Sequence, residues 1–196
     1  MHPHIFIIDD FLPFPVKEYV KKIEDPTNSI VDFVGNTNSN LNAQDCHQMI
    51  HPYYRELLFK GDLNNETYER LSGVLGNRIE ILDDTVISST ENTDSYICAH
   101  IQSDWIALIY LQLPLSSLGE FGVRFYSHKE TGSEFYSEGK ELNTLDESQW
   151  KEYSKIPAKY NRLVLFKSRL WHSYGNGFGD TLNNSMLYKK IIIRNG

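Results

Sequence analysis

Cysteine is scarce in this chain. Cys46 and Cys98 are the only two, so there is no disulfide scaffold, and they form no CxxC pair, which excludes a zinc knuckle. The scarcity fits a reducing, intracellular setting. Basic residues are in deficit, with 19 Lys and Arg against 26 Asp and Glu and a formal net charge of −7. That balance argues against nucleic acid or an anionic membrane as partner, since either needs a positive face. Long apolar runs are also missing. No stretch approaches the ~20 apolar residues of a membrane span. The opening Met-His-Pro-His-Ile-Phe-Ile-Ile-Asp-Asp lacks the basic flank of a signal peptide. Neither a Gly-rich phosphate loop nor a GxSxG elbow is present. The expectation is a soluble, cytoplasmic protein.

What the chain does hold is apolar and aromatic. Hydrophobic residues make up 40% of the 196 positions and aromatics 13%, enough for one domain, residues 1–196, with a sizeable core. A short apolar strand is expected at 4–8. An amphipathic helix follows at 15–24, where Val16, Tyr19, Val20 and Ile23 share a face. The Asn- and Ser-rich stretch 35–46 reads as a loop. Further helices are expected at 52–59 and at 66–75, the second ended by Gly76. From Ile79 onward the pattern is β-rich, with strands at 79–82, 95–101, 105–113, 121–127, 162–166, 170–174 and 186–194. A small helix is expected at 147–153. Helices first and strands later give an α+β class: a jelly roll, or double-stranded β-helix, over 79–194 with helical support over 11–76.

Two histidines sit at strand ends. His100 follows Tyr96-Ile-Cys-Ala, and on an extended strand Tyr96, Cys98, His100 and Gln102 share one face. His172 follows the buried strand Arg162 to Phe166 and a tight turn. Together they suggest a two-histidine metal centre on a β-barrel. The bland alternative for each is a hydrogen-bonded structural histidine. A carboxylate two residues after the first histidine normally completes such a site, but that position holds Gln102. Asp104 comes two residues later and reaches the metal only if the backbone turns, because an extended chain places it about 13 Å from His100. His128 reads as a solvated loop residue. His47 and His51 have helical i, i+4 spacing, but Pro52 follows at once.

Four ordered blocks carry a resemblance. They are His100 with Trp105-Ile-Ala-Leu-Ile-Tyr-Leu, Gly122-Val-Arg-Phe-Tyr-Ser-His, Tyr160-Asn-Arg-Leu-Val-Leu-Phe, and Trp171-His-Ser with Gly177-Phe-Gly-Asp. Over roughly residues 95–193 the chain resembles the iron- and 2-oxoglutarate-dependent oxygenases, in their small prolyl-hydroxylase-like branch. The resemblance implies Fe(II), 2-oxoglutarate and O2. It makes His100 and His172 the two histidine ligands, with Gln102 or Asp104 as the third. It also implies that Tyr110 faces the 2-oxoglutarate pocket. The sequence departs from the family twice: His-x-Asp has become His100-Ile-Gln102, and Met186 stands where an arginine usually holds the distal carboxylate. Substitute cations are Arg124 and Lys190.

The leading functional expectation is therefore an Fe(II)/2-oxoglutarate-dependent oxygenase that hydroxylates a small molecule or peptide. One alternative is a repurposed, non-catalytic jelly roll that binds a ligand. The other is an iron oxygenase that does not use 2-oxoglutarate. Segments 35–46 and 129–150 are candidates for a lid over the site.

Overall fold

The computed structural model describes residues 4–13, 30–32, 57–60, 64–90, 96–112, 121–139, 142–175, 177–179 and 185–196. The expected helix at 15–24, the loop at 35–46, and His47 and His51 lie outside these residues. The described strands are β1 (Ile5–Ile8), β2 (Ile30–Asp32), β3 (Leu57–Lys60), β4 (Ile79–Ser89), β5 (Trp105–Gln112), β6 (Gly122–His128), β7 (Trp150–Pro157), β8 (Leu163–Lys167), β9 (His172–Ser173) and β10 (Met186–Asn195). Helix α1 spans Asn65–Leu75.

The strands form two antiparallel sheets. The larger has the order β1-β8-β5-β10-β4-β3-β2 and the smaller β7-β6-β9. β1, β8, β5, β10 and β4 lie side by side although none of these neighbours is consecutive in sequence, and β6 pairs with β9 as well as with β7, the crossing pattern of a double-stranded β-helix.

Strands β5 and β8 are apolar almost without break, and β10 is apolar on either side of Lys189-Lys190, because both of their faces are covered. One face carries Ala107, Ile109, Leu111, Leu163, Leu165, Leu187, Ile191 and Ile193, which pack with Leu71 of α1 and with Phe11 and Leu12. The other carries Ile106, Leu108, Tyr110, Val164, Phe166, Met186 and Tyr188, which meet Val123 and Phe125 of the small sheet. This second core is the barrel interior. A third cluster, with Ile97, Ala99, Trp150 and Trp171, coats the outer side of the small sheet. Tyr136 and Leu142 of the expected lid segment pack on that outer cluster.

Local signals explain α1. The Asn64 side chain accepts the Thr67 N–H at 2.8 Å, and Gly76 closes the helix with φ 68°. The N-terminal segment is clipped to the barrel by Asn161, which holds φ 56°, a conformation asparagine tolerates. Its side chain accepts the Leu12 N–H at 2.8 Å and donates to the Leu12 carbonyl at 3.1 Å.

The expected strand at 95–101 is a single isolated bridge at Cys98 among the described residues 96–100, and two helix expectations fail. Leu57–Lys60 is a strand paired with β4, not the end of a helix. Only Glu147–Gln149 is helical in the 147–153 region, as a single 3-10 turn, and β7 begins at Trp150. In both places a short apolar or aromatic run gains more from a neighbouring strand than from a lone helical turn.

Candidate metal centre

The site forms where the chain before β5 meets β9. Cys98 and His172 are directly opposed: the Cys98 N–H donates to the His172 carbonyl at 2.8 Å, and the His172 N–H donates to the Cys98 carbonyl at 2.9 Å. Directly opposed residues send their side chains to the same face. On β9's other edge His172 pairs with Phe125, whose ring belongs to the interior core. The Cys98 and His172 side chains therefore both point into the barrel. His100, two residues after Cys98, joins them.

All three side chains are buried, with relative exposures of 1% for Cys98, 3% for His100 and 0% for His172. The Cys98 Sγ lies 3.6 Å from His172 Nε2. The two imidazole rings stack at 5.7 Å between centroids with an 18° interplanar angle. One donor atom from each of the three residues lies within 4.8 Å of the other two. Among the described residues this is the one such group of His, Cys, Asp or Glu.

Hydrogen bonds orient both rings. His172 Nδ1 sits 2.7 Å from the Leu170 carbonyl. A carbonyl only accepts, so Nδ1 carries the proton and Nε2 presents its lone pair toward Cys98. His100 Nε2 lies 3.1 Å from the Tyr174 hydroxyl, and Tyr174 stacks on Tyr188 at 6.1 Å.

Burial holds both histidines neutral. It pushes His172 down to about 4, against a smaller opposing pull from the Leu170 carbonyl and with added repulsion from Lys190. Burial also pushes His100 well below its ordinary value, helped by His172 and Lys190. Neutral imidazole is the form that binds a metal.

The other sequence candidates separate into two groups. Tyr110 and Lys190 face the interior. The Tyr110 hydroxyl accepts the Val123 N–H at 3.0 Å, which uses an oxygen lone pair and not the hydroxyl proton. Burial pushes Tyr110 above its ordinary pKa, so it stays protonated. Lys190 is 6% exposed and alternates along β10 with Met186 and Tyr188 on the interior side.

Gln102, Asp104 and Arg124 lie elsewhere. Gln102 is exposed, and its carbonyl accepts from Arg194 at 3.3 Å. The backbone bends at 101–102, so the strand alternation that would aim Gln102 inward ends at His100. Asp104 accepts the Asn195 N–H at 2.9 Å, which ties it to the far end of β10. Arg124 stands between Val123 and Phe125, both interior, and so faces outward, where it pairs with Glu152 at 3.3 Å. Reading the site from sequence misses Cys98. The available signal was its place on the same strand face as His100, two residues away.

No protein-family model matches the chain, and no curated protein sequence matches it either. Solved structures do. HygX of Streptomyces hygroscopicus, bound to nickel, 2-oxoglutarate and hygromycin B, matches with a TM-score of 0.62 at 10% identity, covering 98% of this chain and 83% of HygX. The epimerase SnoN of nogalamycin biosynthesis, which is α-ketoglutarate-dependent, matches at 0.59 and 11% identity over 98% and 78% of the two chains. A Trichoplax adhaerens prolyl hydroxylase in complex with a hypoxia inducible factor peptide matches at 0.52 and 13% identity over 99% and 84%. In architecture, then, the chain carries the double-stranded β-helix fold seen in the 2-oxoglutarate-dependent oxygenases.

Proposed function

We propose that this protein is an iron- and 2-oxoglutarate-dependent oxygenase acting on a small molecule or peptide, with hydroxylation as its reaction. One observation carries the reading: two buried, neutral histidines converge inside the barrel beside a buried lysine. The residues present fit the two groups that the fold implies. His100 and His172 offer imidazole donors to a divalent ion. Lys190 supplies a cation for a carboxylate of 2-oxoglutarate. A buried dicarboxylate without a cation carries a desolvation cost of several kcal/mol per charge, so some cation must stand in for the arginine that Met186 replaces.

When bound, Fe(II) and 2-oxoglutarate supply O2 activation coupled to oxidative decarboxylation of the cosubstrate. The chain's own residues do the rest. The Leu170 carbonyl fixes the tautomer of His172. Tyr174 holds the His100 ring. Tyr110 keeps a hydroxyl proton that it can donate to a carboxylate oxygen. The apolar lining of Phe125, Phe166, Met186 and Tyr188 keeps water from the centre. Among the structures similar in fold, hygromycin B is bound in HygX and a peptide in the prolyl hydroxylase, which supports a small molecule or peptide as the ligand class.

The test needs no substrate. Oxygenases of this kind consume 2-oxoglutarate slowly by themselves. The Fe(II)-loaded protein is incubated with 2-oxoglutarate in air, and succinate is measured. Succinate formation that depends on Fe(II) and disappears in His172→Ala is expected. Absence of succinate, together with no anaerobic binding of millimolar 2-oxoglutarate to the Mn(II)-loaded protein, would move the assignment to a ligand-binding jelly roll.

A further inference from the structure

We propose that Cys98 is the third, anionic ligand of the metal centre, so that the donor set is Cys98, His100 and His172. The proposal rests on the oxygenase reading for the place of the metal, but not for 2-oxoglutarate or turnover.

Three independent observations carry it. The first is distance. A metal bound by sulfur at about 2.3 Å and by imidazole nitrogen at about 2.0–2.1 Å in tetrahedral geometry places the two donors roughly 3.5 Å apart. The Cys98 Sγ and His172 Nε2 are 3.6 Å apart. The second is direction. The proton of His172 is turned to the Leu170 carbonyl, so the nitrogen facing Cys98 directs its lone pair at the sulfur. The third is charge. A site of two imidazoles and one carboxylate presents one negative charge to a divalent ion. Here Gln102 is neutral and exposed, and Asp104 is bonded to Asn195. A Cys98 thiolate restores that single negative charge at the centre. Lys190, buried on β10, adds a cation to the barrel interior that favours an anion there.

The spacing of the motif is kept while its register moves. Cys98-Ala99-His100 has the one-residue gap of His-x-Asp. The residue opposed to His172 is Cys98, and His100 stands in the second place. The anionic and neutral donors have thus changed places along the strand. A thiolate is a softer donor than a carboxylate and shifts preference toward zinc or copper(I) and away from magnesium, calcium or manganese.

The experiment uses the full chain, stripped of metal and titrated with Co(II) without oxygen. Wild type and Cys46→Ser are expected to bind one Co(II) with an intense near-ultraviolet thiolate-to-cobalt charge-transfer band. Cys98→Ser and Cys98→Ala are expected to lose that band. Their Co(II) affinity should fall by at least on the order of 100-fold, above the 10–100-fold range for outer partners of a metal ligand. X-ray absorption of the Co(II)-loaded wild type provides a test that does not depend on a variant's folding: one sulfur scatterer at about 2.3 Å is expected. A cobalt shell of nitrogen and oxygen only, a band that survives in Cys98→Ser, or no Co(II) binding would overturn the proposal. The two readings separate cleanly. Succinate formation with a sulfur-free shell removes Cys98 and keeps the oxygenase. A sulfur-ligated metal without 2-oxoglutarate consumption keeps Cys98 and removes the oxygenase.

Discussion

Cys98 and His172, 74 residues apart, exchange both backbone hydrogen bonds and bring Sγ and Nε2 to 3.6 Å inside the barrel. This isolated bridge fixes how the segment 96–100, just before β5, lies against β9. It therefore sets which side chains face the second histidine. Several other residues have consequences that can be measured directly.

Lys190 and Arg124 answer differently to truncation. Lys190 is interior, whereas Arg124 faces outward and pairs with Glu152. Lys190→Ala should weaken anaerobic 2-oxoglutarate binding by about 3 kcal/mol or more, roughly 100-fold, because a buried carboxylate loses its cation. Arg124→Ala should leave binding within about twofold, as expected for a surface pair worth less than about 1 kcal/mol. Calorimetry on the Mn(II)-loaded variants distinguishes them, and equal losses in both would contradict the placement.

Asn161 should be sensitive out of proportion to its size. Asn161→Ala removes two buried hydrogen bonds to Leu12 and leaves an alanine at φ 56°. The expected cost is about 2–4 kcal/mol, from the orphaned Leu12 groups and the left-handed backbone. For a chain of this length that is a fall of roughly 5–15 °C in Tm. Asn161→Gly relieves only the backbone part and should lie between wild type and alanine in a calorimetric melt.

Gly175 and Gly132 offer a matched contrast. Both hold positive φ, 75° and 67°. A Cβ on Gly175 would collide with the Gly122 carbonyl, whereas one on Gly132 meets open space. Gly132→Ala should cost about 1–2 kcal/mol for the left-handed conformation alone. Gly175→Ala should cost more than that, and should also weaken Co(II) binding because Gly175 lies three residues from His172. Urea unfolding gives the first comparison and the cobalt titration the second. Equal effects would show that the close approach to Gly122 is unimportant.

Asp9 provides a pH-dependent clasp between β1 and the turn before β8. It bonds Arg162 and Lys159, each at 2.6 Å, and these cations hold its carboxyl well below the usual range, Arg162 contributing most. A carboxyl with a lowered folded pKa stabilises the fold above its unfolded value of about 3.9, and that stabilisation is lost as pH falls through the folded value. Asp9→Asn should therefore be less stable than wild type at pH 7. The gap should narrow as pH drops below about 3.9. Urea midpoints at pH 7 and pH 3 test this, and a gap independent of pH would argue against the clasp.

Much of the barrel was legible from residue pattern. β5 and β8 announce themselves as nearly unbroken apolar runs because both faces are covered, and β10 as two apolar stretches around Lys189-Lys190. α1 was readable from its periodicity and from Gly76. Leu57–Lys60 was not, since Leu-Leu-Phe suits a short helix or a strand equally, and only pairing with β4 decides. His100 and His172 stood out by residue type at strand ends. Cys98 did not, because a cysteine between apolar neighbours looks like any small core residue.

The amino-acid order by itself determined the donors available to the site: two histidines at strand ends, a thiol two residues before the first, no carboxylate two residues after it, and a methionine at position 186. The tertiary structure decided which of them meet. Strand alternation carries no information about where it stops, and here the bend at residues 101–102 releases Gln102 and Asp104 to the surface and to β10. Alternation along β6 likewise turns Arg124 outward, and β10 turns Lys190 inward. The decisive relation, Cys98 opposite His172, is a register between distant segments. It is set by the packing of whole sheets, and a register shift of one residue would have turned the thiol to the other face.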